Sequence, residues 1–174
     1  MLVAVGALAV LLSGCGSDGD DGVAGDGSTA ADQAPSLPAE GDDATGGCAL
    51  VSADEAAGIV GEEIVATTEM GTGCQWALPT AGAWYDWQSF PSEVYDENLA
   101  IASDSGGFAV RTIDGLGDTA FVRLQLSSEG AEINGETWVL VGDTAFHVRT
   151  SAAGWTADIE AAQRALAELI IDRI

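Results

Sequence analysis

The chain lacks lysine altogether, and its five arginines are outnumbered by 28 aspartates and glutamates. Its formal charge at neutral pH is -23. Nucleic-acid binding requires basic side chains that neutralise phosphates, so we expect no nucleic-acid partner. Eight of the 28 acidic residues precede residue 48, which leaves 20 against five arginines and a charge of about -15 for the rest of the chain. Charge of this kind favours solubility but does not specify a fold.

The chain has a single histidine, His147, which lies in a predicted strand. A metal site made of several histidines and a Ser/His relay are therefore not expected. Adjacent carboxylates such as Glu62 and Glu63 are common in so acidic a chain, but sequence neighbours do not face each other across a substrate as paired catalytic acids must. We predict a non-enzymatic protein with no catalytic residue, no metal site and no cofactor.

A phosphate-binding loop is also lacking. The glycines Gly115 and Gly117 lie between two predicted strands, no lysine follows them, and they open no helix. We interpret them as turn residues that supply a positive φ.

Long apolar segments are scarce, and the one unbroken run covers residues 2–12. It is shorter than the roughly 20 residues that cross a bilayer as a helix, and it is typical of a signal-peptide core. It ends in Leu12-Ser13-Gly14-Cys15, which resembles the bacterial lipobox. We predict that residues 1–14 are a signal peptide and that acylated Cys15, carrying palmitate-type chains, anchors the protein to the extracytoplasmic face of the cell membrane. The alternative is a buried helix that ends in Ser-Gly-Cys. The segment before the run has no Lys or Arg, so a start upstream of Met1 also stays open.

The stretch from Cys15 to residue 47 consists mainly of Gly, Asp, Ala, Ser, Thr and Pro. It has too little apolar surface to offset the entropy of ordering, so we expect residues 15–47 to be a disordered acidic tether.

With Cys15 assigned to the lipid, Cys48 and Cys74 remain as an even pair. In an exported protein such a pair indicates a disulfide, and two free thiols are the alternative.

Residues 48–174 carry the patterns of one folded domain. Ser52 and Glu55 predict a capping box that begins a short helix ending at Gly61. A second helix is predicted over about residues 93–103 with Ser92 as its cap, and Leu166 and Ile170 belong to the apolar stripe of a third. Strands are predicted at 74–76, 83–90, 108–113, 120–126, 137–141 and 145–150. The order predicts an α+β domain with an antiparallel sheet of five to six strands packed by two to three helices.

Aromatic side chains cluster between residues 84 and 95. On a strand, Tyr85 and Trp87 share one face and Trp84 takes the other, so we expect core packing to account for at least one of these sets. The other set is a candidate for sugar or peptide contact, which makes Trp84, Tyr85 and Trp87 the predicted binding residues.

Three segments together resemble the actinobacterial lipoproteins that share domain of unknown function 3558. They are Cys48-Ala49-Leu50-Val51 before the helix ending at Gly61, then Cys74-Gln75-Trp76, then Gly115-Leu116-Gly117-Asp118-Thr119-Ala120. The resemblance covers about residues 48–174 and implies a lipid-anchored, exported domain with a cysteine pair. It implies no reaction. From the lipobox, the tether and the lack of a catalytic constellation in the sequence, we expect a binding or scaffolding module of the cell envelope, with an envelope protein or glycan as partner. The alternatives are an envelope hydrolase that uses carboxylates and a carrier of a small hydrophobic molecule.

Overall fold

The structure is a computed structural model, and it describes residues 47–151 and 154–174. The predicted signal peptide, Cys15 and nearly all of the predicted tether lie outside the described residues. No helix in the described ranges is long and apolar enough to cross a membrane.

The described residues form seven strands and three helices. The strands are β1 (Ala66–Glu69), β2 (Cys74–Ala77), β3 (Trp84–Pro91), β4 (Phe108–Thr112), β5 (Thr119–Leu126), β6 (Glu132–Val141) and β7 (Thr144–Thr150). The helices are α1 (Ala53–Val60), α2 (Glu93–Asp104) and α3 (Ala157–Ile171), and a short 3-10 turn, Gly47–Ala49, precedes α1. All strands belong to one antiparallel sheet in the spatial order β1-β2-β3-β7-β6-β5-β4. The predicted α+β class with an antiparallel sheet is confirmed.

Two meanders, β1 to β3 and β4 to β7, join side by side through the pairing of β3 with β7. The chain must therefore pass from β3 to β4, at the far edge of the sheet, across four strand spacings or about 19 Å. A helix of 12 residues is about 18 Å long, and α2, with 12 residues, makes this crossing over one face of the sheet. The helices α1 and α3 pack on the other face.

Each face of the sheet has its own apolar core. Beneath α1 and α3 the large buried side chains include Trp76, Trp87, Phe146, Leu166 and Ile170. Beneath α2 a smaller cluster contains Tyr95, Phe121, Trp138 and Ala145. The alternation of strand residues produces this division, because successive side chains point to opposite faces.

Local signals set the ends of α1 as predicted. The Ser52 hydroxyl accepts a hydrogen bond from the Glu55 N–H at 3.4 Å, and the Glu55 carboxylate accepts one from the Ser52 N–H at 3.0 Å. Gly61 follows the last turn with φ 78°. Gly115 and Gly117 also have positive φ, 72° and 58°, in the turn between β4 and β5, as expected.

Two details of the prediction are wrong. The sheet has a seventh strand, β1, whose four residues are all exposed and therefore show no apolar alternation. It forms through backbone pairing with β2 at the sheet edge.

Ser92 does not cap α2: it has helical φ and ψ, and its side chain makes no capping hydrogen bond. Its N–H instead donates to the Asp143 carbonyl at 3.2 Å.

Candidate binding cleft

The three aromatic residues predicted to bind lie on opposite faces of β3. Tyr85 and Trp87 belong to the core beneath α1 and α3 and are only 4% and 2% exposed. A ligand cannot reach them in the folded domain, so core packing accounts for both. Trp84 is partly exposed on the other face, where it lines an open cleft. Of the predicted binding residues, the structure leaves only Trp84 at a surface.

A disulfide joins Cys48 to Cys74, as the even pair predicted. Cys48 lies in the turn before α1, and Cys74 begins β2, where it is buried. The Cys48 N–H also donates to the Glu69 carboxylate at 3.1 Å. The first described residues are therefore attached to two neighbouring strands, β1 and β2, at one edge of the sheet.

Four charged residues form a row across four adjacent strands on the face that carries α2. Asp86 on β3 lies opposite Arg149 on β7, Arg149 lies opposite Glu136 on β6, and Glu136 lies opposite Arg123 on β5. We call these four residues the charged row. Their signs alternate, so every charge has an opposite charge beside it.

Asp86 is the most deeply buried member of the charged row. Its side chain is 1% exposed, and the Arg149 Nε–H donates to its two carboxylate oxygens at 2.8 and 3.0 Å. Burial raises the pKa of Asp86, while the hydrogen bond from Arg149 opposes that rise. The arginine is 37% exposed, so it also reaches the surface of the cleft.

At the other end of the row, Arg123 forms an ion pair with Glu136, and both side chains are mostly buried. Arg123 also donates to the Asn98 amide oxygen at 3.1 Å, which connects the row to α2. Each arginine of the row lies over an aromatic ring: Arg123 is 5.1 Å from the centre of Phe108, and Arg149 is 5.4 Å from that of Trp84. Such cation–π contacts hold the guanidinium groups in place.

The charged row and the two rings line a cleft with a volume of about 380 Å³. Trp84 on β3 and Phe108 on β4 stand at its two ends, about 19 Å apart by strand spacing. Between them lie Arg149, Glu136 and Arg123, together with the side chains of Gln125 and Asn134. The cleft is therefore a mixed surface of rings, amides and paired charges that extends across the sheet from β3 to β4.

His147 lies two residues before the cleft residue Arg149 on β7 and is 5% exposed. Its ring packs against Phe90 and Trp138, with ring centres 5.1 and 5.0 Å away, and neither ring nitrogen has a hydrogen-bond partner. Desolvation, followed by the charges of Arg149 and Arg123, lowers the pKa of His147 to about 3. The ring is therefore neutral at physiological pH and acts as a packing residue beside Asp86, whose nearest carboxylate oxygen is 3.7 Å away.

Metal binding has no cluster to support it in the part of the chain that the structure describes. There, no group of three or more His, Cys, Asp or Glu side chains is arranged to hold an ion.

Sequence reasoning missed the charged row. The signal in the sequence is limited to polar residues on the outward positions of predicted strands, such as Asp86 in Tyr85-Asp86-Trp87 and Arg149 in Val148-Arg149-Thr150. That pattern places each side chain on the less apolar face. It cannot say which charges become neighbours, because neighbours are set by strand order and register.

Comparison with known proteins does not assign the chain. No protein-family description, no curated protein and no solved structure matches it.

Proposed function

We propose that this protein is a lipid-anchored lipoprotein of the extracytoplasmic face of the cell membrane, and that its domain is a non-enzymatic binding or scaffolding module of the envelope. The observation that carries the binding role is the cleft between Trp84 and Phe108. We also propose kinship with the actinobacterial lipoproteins that share domain of unknown function 3558, on the three segments that resemble them.

The cleft suits binding because its groups are already held in position. Arg149 is fixed by Asp86 and Trp84, and Arg123 by Glu136, Asn98 and Phe108. A ligand therefore does not have to order these long side chains, which saves about 0.5–1.5 kcal/mol for each one. The strands beneath are interior strands with a neighbour on each side, so the floor is rigid as well.

The anchoring part of the proposal draws on Leu12-Ser13-Gly14-Cys15 and on the disulfide, since disulfides persist in oxidising compartments outside the cytoplasm. The test is to express the full chain in a lipoprotein-processing bacterium and determine the mass of its N-terminal peptide. We expect Cys15 as the first residue with acyl chains attached, and we expect Cys15→Ser to release the protein from the membrane fraction. A mature protein that retains residues 1–14 contradicts the proposal.

The binding part is tested by photo-crosslinking in intact cells. A photoreactive residue at Gln125, which is exposed and lines the cleft, should capture an envelope component, and the same residue at Glu63, exposed and outside the cleft, should not. Trp84→Ala should abolish capture at Gln125. Trp87→Ala is unsuitable as a test because it removes a core side chain. Equal capture from both positions contradicts a specific binding role for the cleft.

The two alternative functions have separate readouts. A carboxylate hydrolase that worked in this cleft would have to use Glu136 or the neighbouring Asp86, yet each is paired with an arginine. Turnover of wall or lipid substrates that Glu136→Gln abolishes would favour the hydrolase over our proposal. A carrier of a hydrophobic molecule needs an apolar cavity, whereas the space between the sheet and α3 is occupied by Trp76, Trp87 and Leu166. Co-purification of a lipid would favour the carrier.

A further inference from the structure

The cleft also indicates the chemical class of its ligand. We infer that it takes a neutral, hydroxyl-rich ligand, namely an uncharged oligosaccharide segment of the envelope. This inference rests on the proposed binding function and adds the substrate class to it.

Charge is the first discriminating observation. The charged row contains two arginines and two carboxylates, so its net charge is zero. Its members differ in exposure: Asp86 is 1% exposed, Glu136 12%, Arg123 19% and Arg149 37%. A cationic ligand would meet the two arginines as the most accessible charges. An anionic ligand would have to approach a domain with 20 acidic residues and five arginines. A neutral ligand avoids both the repulsion of a cation by these arginines and the repulsion of an anion by the acidic domain.

The two rings are the second observation. Trp84 and Phe108 stand at opposite ends of the cleft, both are partly exposed, and the arginine over each ring covers at most one of its faces. A pyranose ring has an apolar face of C–H groups and a rim of hydroxyls, so it packs on an aromatic surface while its hydroxyls reach polar side chains. A linear oligosaccharide would place successive sugar units along the roughly 19 Å between the rings.

The polar groups between the rings are the third observation. Gln125 and Asn134 carry amides that both donate and accept, Glu136 accepts, and Arg149 donates. Hydroxyl groups need this mixture, because each one donates once and accepts twice. An apolar ligand would cover the Gln125 and Asn134 amides without offering them hydrogen bonds, which costs about 1–3 kcal/mol for each buried polar group left unsatisfied.

A peptide is the main competing neutral ligand. Peptides that bind sheets usually add a strand at a free edge, where backbone groups are available. The floor of the cleft is instead the face of β7, β6 and β5, whose backbones pair with strands on both sides, and only its Phe108 end stands on the edge strand β4. Its floor offers side chains rather than backbone partners, and this favours a sugar.

The test uses the folded domain with its disulfide intact. An array should carry neutral oligosaccharides of hexoses and N-acetylhexosamines, the same chains bearing uronate or phosphate groups, and uncharged hexapeptides. We expect binding to a subset of the neutral oligosaccharides, with an affinity that changes little between low and high salt. Binding confined to the charged chains or to the peptides overturns the inference, and so does no binding at all.

For a neutral oligosaccharide that binds, Trp84→Ala and Phe108→Ala should each weaken the affinity about tenfold or more. Ile101→Ala removes an exposed apolar side chain on α2, outside the cleft, and should leave the affinity unchanged. Because Trp84 and Phe108 also help to pack the charged row, the wild-type domain supplies an independent readout by NMR. The side-chain amide signals of Gln125 and Asn134 should shift on titration. If they stay in place while the oligosaccharide binds, the ligand sits elsewhere and the inference is wrong.

The outcomes separate this inference from the proposed function. If an envelope protein is captured at Gln125 but no oligosaccharide binds, the proposed binding function is supported and the inference of a sugar ligand is contradicted. If neither capture at Gln125 nor oligosaccharide binding is observed, both the binding function of the cleft and the sugar as its ligand are contradicted.

Discussion

Asp86 and Arg149 face each other directly across β3 and β7, and the arginine Nε–H donates to both oxygens of a carboxylate that is almost completely buried. The pair crosses the junction of the two meanders. It therefore links the N-terminal and C-terminal halves of the sheet and also places Arg149 at the cleft.

Replacing Arg149 should expose the cost of burying Asp86. We expect Arg149→Met to lower the free energy of unfolding by about 2–3 kcal/mol at neutral pH, because a buried carboxylate loses its partner. Burial raises the pKa of Asp86 in the folded state, so this group's contribution to stability falls as the pH rises through that pKa. Without Arg149 the pKa rises further, and the loss should be larger at neutral than at acidic pH in urea titrations.

The matched control for this prediction is Arg164→Met. Arg164 pairs with Glu168 on the surface of α3, where both side chains are substantially exposed. We expect a change within about 0.5 kcal/mol. Equal losses in the two variants would mean that the burial of Asp86 does not matter.

His147 should make the domain sensitive to acid. Its pKa is lowered to about 3 from an ordinary 6.5, so the unfolded chain binds a proton more readily between these values. Stability from this group is therefore present above pH 6.5 and is lost as the pH falls towards 3. By about pH 4.5 the loss should be on the order of 2 kcal/mol.

The variant His147→Phe tests this because it keeps an aromatic ring and removes the titration. The fall in the urea midpoint between neutral and acidic pH should be smaller in the variant than in the wild type. Identical pH profiles would show that His147 does not contribute. Asp86 is present in both proteins, so the difference between the two profiles reports the loss of the His147 titration together with the loss of its 3.7 Å contact with Asp86.

Breaking the disulfide should destabilise the domain. Cys48 and Cys74 are 26 positions apart, and closing a loop of that size stabilises a protein by about 3.5 kcal/mol through the entropy of the unfolded chain. We expect a loss of this order in a variant with both Cys48→Ser and Cys74→Ser, measured by urea unfolding. A reductant should lower the wild-type midpoint and leave that of the double variant unchanged. A wild type insensitive to reductant under unfolding conditions contradicts the prediction.

Gly135 on β6 provides a test of packing. A Cβ at this position would lie 2.6 Å from the Trp155 ring and 2.8 Å from the Leu124 side chain. We expect Gly135→Ala to reduce stability by about 1–3 kcal/mol and to change the Trp155 fluorescence, because the ring must move. Gly58→Ala in α1 is the control: nothing lies within 4 Å of its Cβ position, and alanine favours a helix, so thermal stability should rise slightly. A neutral Gly135→Ala would show that the contact with Trp155 is loose.

Local patterns explain most of what could be predicted of the fold. The capping box of Ser52 and Glu55, the alternation in β3 to β7 and the stripe of α3 all report short-range preferences, and each element formed where its pattern lies. The strand β1 was missed because Ala66–Glu69 is exposed on both sides and therefore has no apolar signal. Its place comes from pairing with β2 rather than from its own side chains.

The candidate site was less predictable than the fold. Alternation placed Trp84 on one face and Tyr85 and Trp87 on the other, but it did not say which face the helices cover. That depends on α2 crossing one side of the sheet while α1 and α3 pack on the other. The same limit applies to Phe108, which reaches the cleft only because β4 lies at the far edge.

By itself, the sequence determined the acidic charge, the even cysteine pair and the type of nearly every helix and strand, since composition and short-range periodicity are properties of the chain alone. Only the tertiary structure decided that Asp86, Arg149, Glu136 and Arg123 become neighbours and that Trp84 rather than Trp87 remains at a surface. The physical reason is that strand order and register are set by contacts between residues distant in the chain. A shift of one residue in register would turn each of these side chains to the opposite face.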